Sequence, residues 1–311
     1  MSSMDICLLG GNGFIGSHVQ DELLRCGHKV LVYDRQDEKF RSRRTDIEYV
    51  NGDISDHKLI NDCLPGTDCI IHLASSTLPA VSNNDPIFDV KSNLITTLKL
   101  LQLCVERDVK KMVYVSTGGI VYGIPKRLPI REDDPTDPIC SYGIVKLAIE
   151  KYVALFAHLY GIEYRVLRPS NPFGERQDPL ISHGVVTVFL WRALSNQPIS
   201  VFGDGNTIRD YLYVGDLSRA ICLTLQHQGP SRIFNVGSGS GQSINEIIER
   251  ISRLLDVTVK VERYPARPFD IPKVVLDTSC IQREMKWRPQ VTMDDGLQRT
   301  RDWLLKLKRQ Q

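Results

Sequence analysis

The sequence has no apolar run approaching the roughly eighteen residues a helix needs to cross a bilayer, which excludes membrane insertion. It also has little net charge of either sign: 39 Lys and Arg against 37 Asp and Glu leave +2. A balance this close to neutral gives no reason to expect nucleic acid or a membrane surface as a partner. No secretory leader is legible, because the N-terminus carries Asp5 and runs straight into a glycine-rich turn. The eight cysteines, at 7, 26, 63, 69, 104, 140, 222 and 280, stand singly and form no C-x-x-C pair. Neither a metal site nor a redox dithiol is therefore expected, and the thiols read as reduced and mostly buried in a cytoplasmic protein. Internal repeats and low-complexity segments are missing as well.

What is present begins at residue 5. Asp5-Ile-Cys-Leu-Leu-Gly10-Gly-Asn-Gly13-Phe-Ile-Gly16 is an apolar run ending in a glycine-rich turn, and a helix-like segment follows over 14–26. A second apolar run, Val30-Leu-Val-Tyr-Asp34, ends in a carboxylate eighteen residues beyond Gly16. This strand–turn–helix–strand order suits a dinucleotide. Gly10 allows the tight turn, Gly13 lets backbone N–H groups approach a pyrophosphate, and Gly16 lets helix and strand pack closely. The helix N-terminus adds partial positive charge where phosphates sit. Asp34 is placed to accept hydrogen bonds from the adenosine ribose.

Apolar runs rich in Val, Ile and Leu recur at 6–9, 30–33, 68–73, 112–115 and 163–167, with helix-period segments between them, notably 86–107 and 142–160. Continuous apolar strands separated by helices predict an α/β fold, a Rossmann-type doubly wound parallel sheet covered on both faces. After Arg168 the pattern changes, with Pro and Gly rising through Arg168-Pro-Ser-Asn-Pro-Phe-Gly174. The later elements are shorter: helices near 183–196, 214–226, 244–255, 279–285 and 293–306, and strands near 200–202 and 233–236. The expectation is a nucleotide-binding domain over 1–170 and a smaller mixed α/β domain over 171–311 whose chain crosses back into the first.

A second constellation pairs Ser116-Thr117 at a strand end with Tyr142-Gly-Ile-Val-Lys146. Four residues apart, the tyrosine and lysine lie on one helix face about a turn from each other. An ammonium beside a phenol favours the phenolate, so such a tyrosine can serve as a base near neutral pH despite an ordinary pKa of about 10.

These blocks resemble the extended short-chain dehydrogenases, in particular the UDP-galactose (UDP-glucose) 4-epimerases and related nucleotide-sugar enzymes. The resemblance runs nearly the whole chain, through Gly10 to Gly16, Gly52-Asp53-Ile54, His72-Leu-Ala-Ser75, Ser116-Thr-Gly-Gly-Ile-Val-Tyr-Gly123 and Tyr142 to Lys146. It continues through Arg168 to Gly174, Phe202-Gly-Asp-Gly205, Arg209-Asp-Tyr-Leu-Tyr-Val-Gly-Asp216, Asn235-Val-Gly-Ser-Gly and Arg267-Pro-Phe-Asp270. It implies NAD as cofactor, held by Gly10, Gly13, Phe14, Ile15, Gly16, Asp34, Asp53, Ile54, Ala74, Ser75, Asn93 and Ser116 together with Tyr142 and Lys146. It implies Tyr142 as the base and Lys146 as its partner and the holder of the nicotinamide ribose. Asn171, Arg209, Arg267 and Asp270 would hold the diphosphate and nucleoside ribose of a UDP-sugar, and a planar guanidinium fork suits phosphate oxygens. Four residues before Tyr122, where the best-known epimerases place a hydroxyl, this chain has Gly118. Thr117 or Ser116 must replace that hydroxyl, and Thr117 is the choice. His72, Asp204 and Asp216 read as structural residues.

The implied reaction is 4-epimerisation of a UDP-hexose through a transient 4-keto sugar. A 4-keto-sugar reductase is the alternative; Asp34 opposes a ribose 2′-phosphate by its charge, whereas Arg35 and the cluster Arg41, Arg43 and Arg44 soften that objection. A 4,6-dehydratase of the family carries an Asp-Glu pair after the threonine, where this chain has Gly118-Gly119. Val274 falls where relatives that exclude N-acetylated sugars carry a bulky aromatic, which predicts room for UDP-GlcNAc and UDP-GalNAc. Leu94, Leu98 and Leu101 on the first long helix, with Ile149, Val153 and Phe156 on the second, suggest a partner helix pair and a homodimer.

Overall fold

A computed structural model of the chain describes residues 3–181, 184–267 and 271–310. The chain forms two compact units. Unit 1 takes Met1–Gly123, Pro135–Arg168 and Ser218–Phe234, and unit 2 takes Ile124–Asp134, Pro169–Leu217 and Asn235–Gln311.

Unit 1 opens with β1 (Asp5–Leu9), α1 (Phe14–Arg25), β2 (Lys29–Asp34), β3 (Glu48–Asn51), α2 (His57–Cys63) and β4 (Cys69–His72). It continues with α3 (Pro79–Ser82), α4 (Pro86–Asp89), a π-helical segment (Val90–Ile95), α5 (Thr96–Glu106), β5 (Lys111–Val115), α6 (Ser141–Tyr160) and β6 (Glu163–Pro169). The seven-stranded sheet has the order β10-β6-β5-β4-β1-β2-β3, where β10 is Ile233–Val236. Its pairings run parallel, from Leu31↔Glu48 at one side to Val115↔Leu167 near the other. Every residue of β4 and β5 is buried, as continuous Val, Ile and Leu runs require of strands covered on both faces. Strand order reverses between β1 and β4, so a ligand crevice opens beyond the carboxyl ends of those two strands.

Two sequence expectations change here. The helix expected over 86–107 is interrupted by the π-helical segment, which buries Asn93. One inserted residue per turn re-aims a side chain, a device frequent at functional sites. The apolar residues singled out for a partner helix pair face the unit's own core: Leu101, Ile149 and Val153 are buried there, and Leu94, Leu98 and Phe156 pack against it. The apolar side chains that do reach the surface are others, among them Ile144, Tyr152, Leu155, Leu159 and Tyr160 on α6.

Unit 2 contains β7 (Asn171–Phe173), α7 (Val185–Leu194), β8 (Ile199–Phe202) and β9 (Ile208–Tyr213), followed by the start of α8 (Val214–Thr224). Beyond β10 come β11 (Gly241–Ser243), α9 (Ile244–Leu255), β12 (Val261–Tyr264), β13 (Lys273–Val274), α10 (Ser279–Met285) and α11 (Met293–Gln310). The ladder centres on β9, which pairs antiparallel with β11 and parallel with β7 and β13. Its core gathers Phe173 from β7 with Phe189, Leu190, Ile247, Ile251, Leu297 and Leu304 from α7, α9 and α11. Ser243 and Glu246 close a capping box at the start of α9, satisfying orphan N–H groups at that end. Among the described residues, no helix is long and apolar enough to cross a membrane.

Candidate active site

The glycine turn of unit 1 is shaped by what it lacks. Gly10 has φ +79°, and a Cβ on it would stand 2.8 Å from the Ala74 backbone nitrogen. A Cβ on Gly16 would lie 2.3 Å from the Gly10 carbonyl oxygen, so α1 can approach the turn only without a side chain there. Gly13 differs: the nearest atom to its virtual Cβ is the Gly10 oxygen at 3.5 Å, and the space above is open. Gly13 is also the N-cap of α1 and offers no side chain, so the first-turn N–H groups of Phe14, Ile15 and Gly16 are available to an anion.

A cavity of about 220 Å³ adjoins this turn, lined by Gly10 and Gly13, by Asp34 and Arg35, by Asp53 and Ile54, and by Ala74 and Ser75. The Asp34 carboxylate accepts from the backbone N–H of Asn12 (2.9 Å) and Gln36 (3.0 Å), while burial pushes its carboxyl up. Asp53 accepts from both the N–H and the hydroxyl of Ser55, which holds its carboxyl below the usual range. Asn93 accepts from the Ser76 N–H at 2.8 Å and thereby ties the π-helical segment to the loop after β4. The cradle fits a dinucleotide. The basic cluster that weakened the objection to a 2′-phosphate is committed elsewhere: Arg41 binds Glu38 and Asp21, Arg43 binds Asp37 and Arg44 binds Asp46.

On α6 the tyrosine and lysine meet as their spacing requires, with the Lys146 Nζ 5.6 Å from the centre of the Tyr142 ring. Lys146 is buried and donates to the Val115 carbonyl at 3.2 Å. Burial pulls its ammonium down to about 8, against the opposing pull of Glu150 and Asp89. The Tyr142 phenol is pushed up, by burial first and then by Cys140 and Asp89. The N-terminus of α6 is pinned: Tyr142 N–H donates to Ser82 Oγ (3.1 Å), Ser141 N–H to Asn83 (2.9 Å), and Ser141 Oγ to Asp89 (2.7 Å). Asp89, wholly buried, also accepts from Thr77 (2.7 Å) and from Asn93 (2.9 Å).

The two candidate hydroxyls differ. Ser116 is buried and its hydroxyl donates to Glu150, which is in turn gripped by the Arg168 guanidinium at 2.6 Å. Arg168 also donates to the Tyr122 hydroxyl at 2.8 Å. Thr117 is half-buried, and among the described residues its hydroxyl has no hydrogen-bond partner. His72 is buried and neutral, its pKa lowered to about 3 by burial and by Lys146. Because the Thr97 hydroxyl donates to the Asn93 carbonyl (2.7 Å), His72 Nε2 must be the donor in its 3.0 Å contact with Thr97.

In unit 2, Asn171 Nδ2 donates to the Asp210 carbonyl at 3.1 Å, and Arg209 stands opposite Val274 in the β9–β13 register. Arg209 donates to the carbonyls of Ile208 (2.9 Å) and Ile271 (2.6 Å). The Arg267 guanidinium stacks 3.7 Å from the centre of the Phe202 ring. Val274 is buried. Asp270, with its neighbour Phe269, lies outside the described residues.

Sequence reading assigned no part to Glu150, Arg168, Asp89 or Asp210. Glu150 was within reach of a pattern argument, standing four residues after Lys146 and eight after Tyr142 on the same helix face. Asp210 gave no local signal, because its partners come from distant segments, and of the partners of Asp89 only Asn93 is near in sequence.

Residues 6–237 match the sequence model of the NAD dependent epimerase/dehydratase family. The UDP-glucose 4-epimerase of Mycolicibacterium smegmatis is 33% identical over 306 residues, covering 96% of this chain and 97% of its own. The crystal structure of UDP-glucose 4-epimerase with UDP-glucose from Thermotoga maritima superposes with a TM-score of 0.93 at 34% identity, over 98% of this chain and 100% of that one. UDP-N-acetylglucosamine 4-epimerase from Methanobrevibacter ruminantium, in complex with UDP-N-acetylmuramic acid, superposes with a TM-score of 0.90 at 27% identity over the whole of both chains. With its glycine turn, its Tyr142–Lys146 helix and this match across most of its length, the chain belongs to the NAD dependent epimerase/dehydratase family.

Proposed function

We propose that this protein interconverts UDP-hexoses at C4, with Tyr142 as the proton carrier, Lys146 as its electrostatic partner and Thr117 as the hydroxyl that steadies the sugar oxygen. One observation carries the reading: Tyr142 and Lys146 stack one helix turn apart in the unit whose glycine turn fits a dinucleotide. Similarity to named UDP-glucose 4-epimerases supports the substrate class. Bound NAD supplies a reversible two-electron acceptor at the sugar carbon. Tyr142 Oη takes the C4 hydroxyl proton and returns it once the keto sugar has turned, so net redox is zero. Burial opposes the phenolate this requires, and the Lys146 ammonium beside the ring offsets that cost. Ser116 has its proton committed to Glu150, which leaves Thr117 as the free hydroxyl at the strand end.

The residues of unit 2 would take the rest of the substrate, with Asn171, Arg209, Arg267 and Asp270 on the diphosphate and ribose. Val274 would lie beside sugar C2, where its small side chain admits an acetamido group. The family alternative of dehydration is disfavoured by the absence of a carboxylate at Gly118-Gly119. A reductase using a 2′-phosphorylated cofactor is disfavoured by Asp34 and by the carboxylate pairing of Arg41, Arg43 and Arg44. A homodimer would use the exposed apolar face of α6.

Tyr142→Phe deletes the proton carrier and little else. We expect kcat on UDP-glucose and on UDP-GlcNAc to fall about 10²–10⁴-fold with bound NAD unchanged. A variant keeping more than about a tenth of wild-type kcat, a loss under about 1.4 kcal/mol of barrier, would remove Tyr142 from this role.

A further inference from the structure

Two cysteines that look unrelated in the sequence meet in unit 1. Cys26 is the C-cap of α1 and Cys222 lies on α8, 196 residues later, and their sulfurs are 3.0 Å apart. That is about 1 Å longer than a disulfide bond of about 2.05 Å, and both thiols are free. The pair is asymmetric: Cys26 is half-buried at the surface, and Cys222 is buried behind it. A carboxylate oxygen of Glu22 completes a group of three possible metal-ligand atoms within 4.8 Å of one another. That carboxylate, however, is held by the Arg25 guanidinium at 2.9 and 2.7 Å. Arg25 Nη2 also stands 3.8 Å from the Cys26 sulfur, so the position beside the thiols already carries a cation.

We propose that Cys26 and Cys222 are a modification site, a thiol pair that a low-molecular-weight disulfide such as glutathione disulfide converts to an intramolecular disulfide. The chemistry balances in two exchanges. The Cys26 thiolate attacks one sulfur of the small disulfide, the S–S bond breaks, and one thiol departs with the proton Cys26 gave up. The Cys222 thiolate then attacks the Cys26 sulfur of the mixed disulfide, and the second small thiol leaves. The two cysteines are oxidised by two electrons, and the small disulfide is reduced to two thiols. Exposure sets the order, because only Cys26 is accessible to the oxidant. Burial pushes the Cys222 thiol up, which keeps it inert to solvent and leaves the sulfur it touches as its target. The product staples the C-terminal end of α1, the helix that begins at the glycine turn, to α8. This inference is independent of the epimerase reading.

The test equilibrates the NAD-loaded protein in glutathione buffers of increasing oxidised fraction, traps thiols with N-ethylmaleimide and digests with trypsin. The expected product joins the peptide 26–29 to the peptide 220–232, disappears on dithiothreitol treatment, and raises the melting temperature of the oxidised protein over the reduced one. In Cys222→Ser, Cys26 should hold a single glutathione; in Cys26→Ser, Cys222 should remain unmodified under the same buffers. Three results would overturn the proposal: no joined peptide in any buffer that preserves the fold, joining only after urea, or uptake of one zinc per chain with no joined peptide. Because the cross-link is mapped on the wild-type protein, a variant that fails to fold does not spare the proposal.

Discussion

The end of β5 in unit 1 and the β9 ladder in unit 2 each bury a charged group, and they treat it oppositely. The Asp210 carboxylate, fully buried, accepts from the Ser238 N–H (2.8 Å) and hydroxyl (2.7 Å), the Gly239 N–H (3.2 Å) and the Leu276 N–H (3.3 Å). Four donors from two segments nearly saturate a carboxylate's acceptor capacity. The Lys146 ammonium has three donors and spends one, on the Val115 carbonyl. A buried charge whose partners are complete organises the fold, whereas one held with donors to spare waits for something else. Asp210 fastens the loop after β10 and the chain after β13 to β9. Lys146 keeps its buried ammonium 5.6 Å from the centre of the Tyr142 ring.

Removing the satisfied charge should be the more damaging change. Asp210→Ala strands three backbone N–H groups and a hydroxyl, and we expect it to cost about 4 kcal/mol of stability in urea unfolding. Asp210→Asn should recover part of that loss. If both variants unfold at the wild-type urea midpoint, Asp210 is not the clamp of unit 2.

Lys146→Met should have the opposite sign. Below about pH 8 the folded, nucleotide-free chain buries an ammonium that the unfolded chain hydrates, so folding carries a penalty. Between about 8 and the ordinary lysine value near 10.5, folding releases that proton, and wild-type stability gains as pH rises through this window. The variant should therefore be more stable than wild type at pH 7, by on the order of 3 kcal/mol, with the difference closing above pH 10.5. It should also lose activity. Equal stability of the two proteins at pH 7 would mean that Lys146 is as well solvated as any surface lysine.

The smallest effect probes how much slack the Asp210 cluster has. Ser238→Ala removes one of four donors and leaves the three backbone N–H groups in place, so a loss of about 1.5 kcal/mol is expected from thermal melts. A loss matching that of Asp210→Ala would show that the hydroxyl, rather than the carboxylate, holds the cluster.

How far these elements were legible in the sequence follows from where their partners lie. The strands β1, β2, β4, β5 and β6 announce themselves as apolar runs because both of their faces are covered. The strands β3, β7, β11, β12 and β13 did not, since none has more than one buried residue; β12 is exposed at every position and so has no apolar alternation. The long helix after Pro86 was visible as a period, but its π-helical segment was not, since the inserted turn leaves the apolar spacing nearly unchanged. For the same reason the helix faces were assigned wrongly. Leu101, Ile149 and Val153 belong to the core because of which way the sheet lies, and a period alone does not say which apolar stripe is inward.

Chain-local spacing determined the glycine turn, its acidic follower Asp34, and the stacking of Tyr142 on Lys146, because turn geometry and the 3.6-residue helical repeat convert short sequence intervals directly into distances. Tertiary structure alone decided the rest. It tied the Ser116 hydroxyl to Glu150, closed four donors on Asp210, and set Arg41 against Asp21 and Cys26 against Cys222. Those meetings join segments tens to hundreds of residues apart or turn on which face of an element is inward. No local interval encodes them; they exist only once the core has packed.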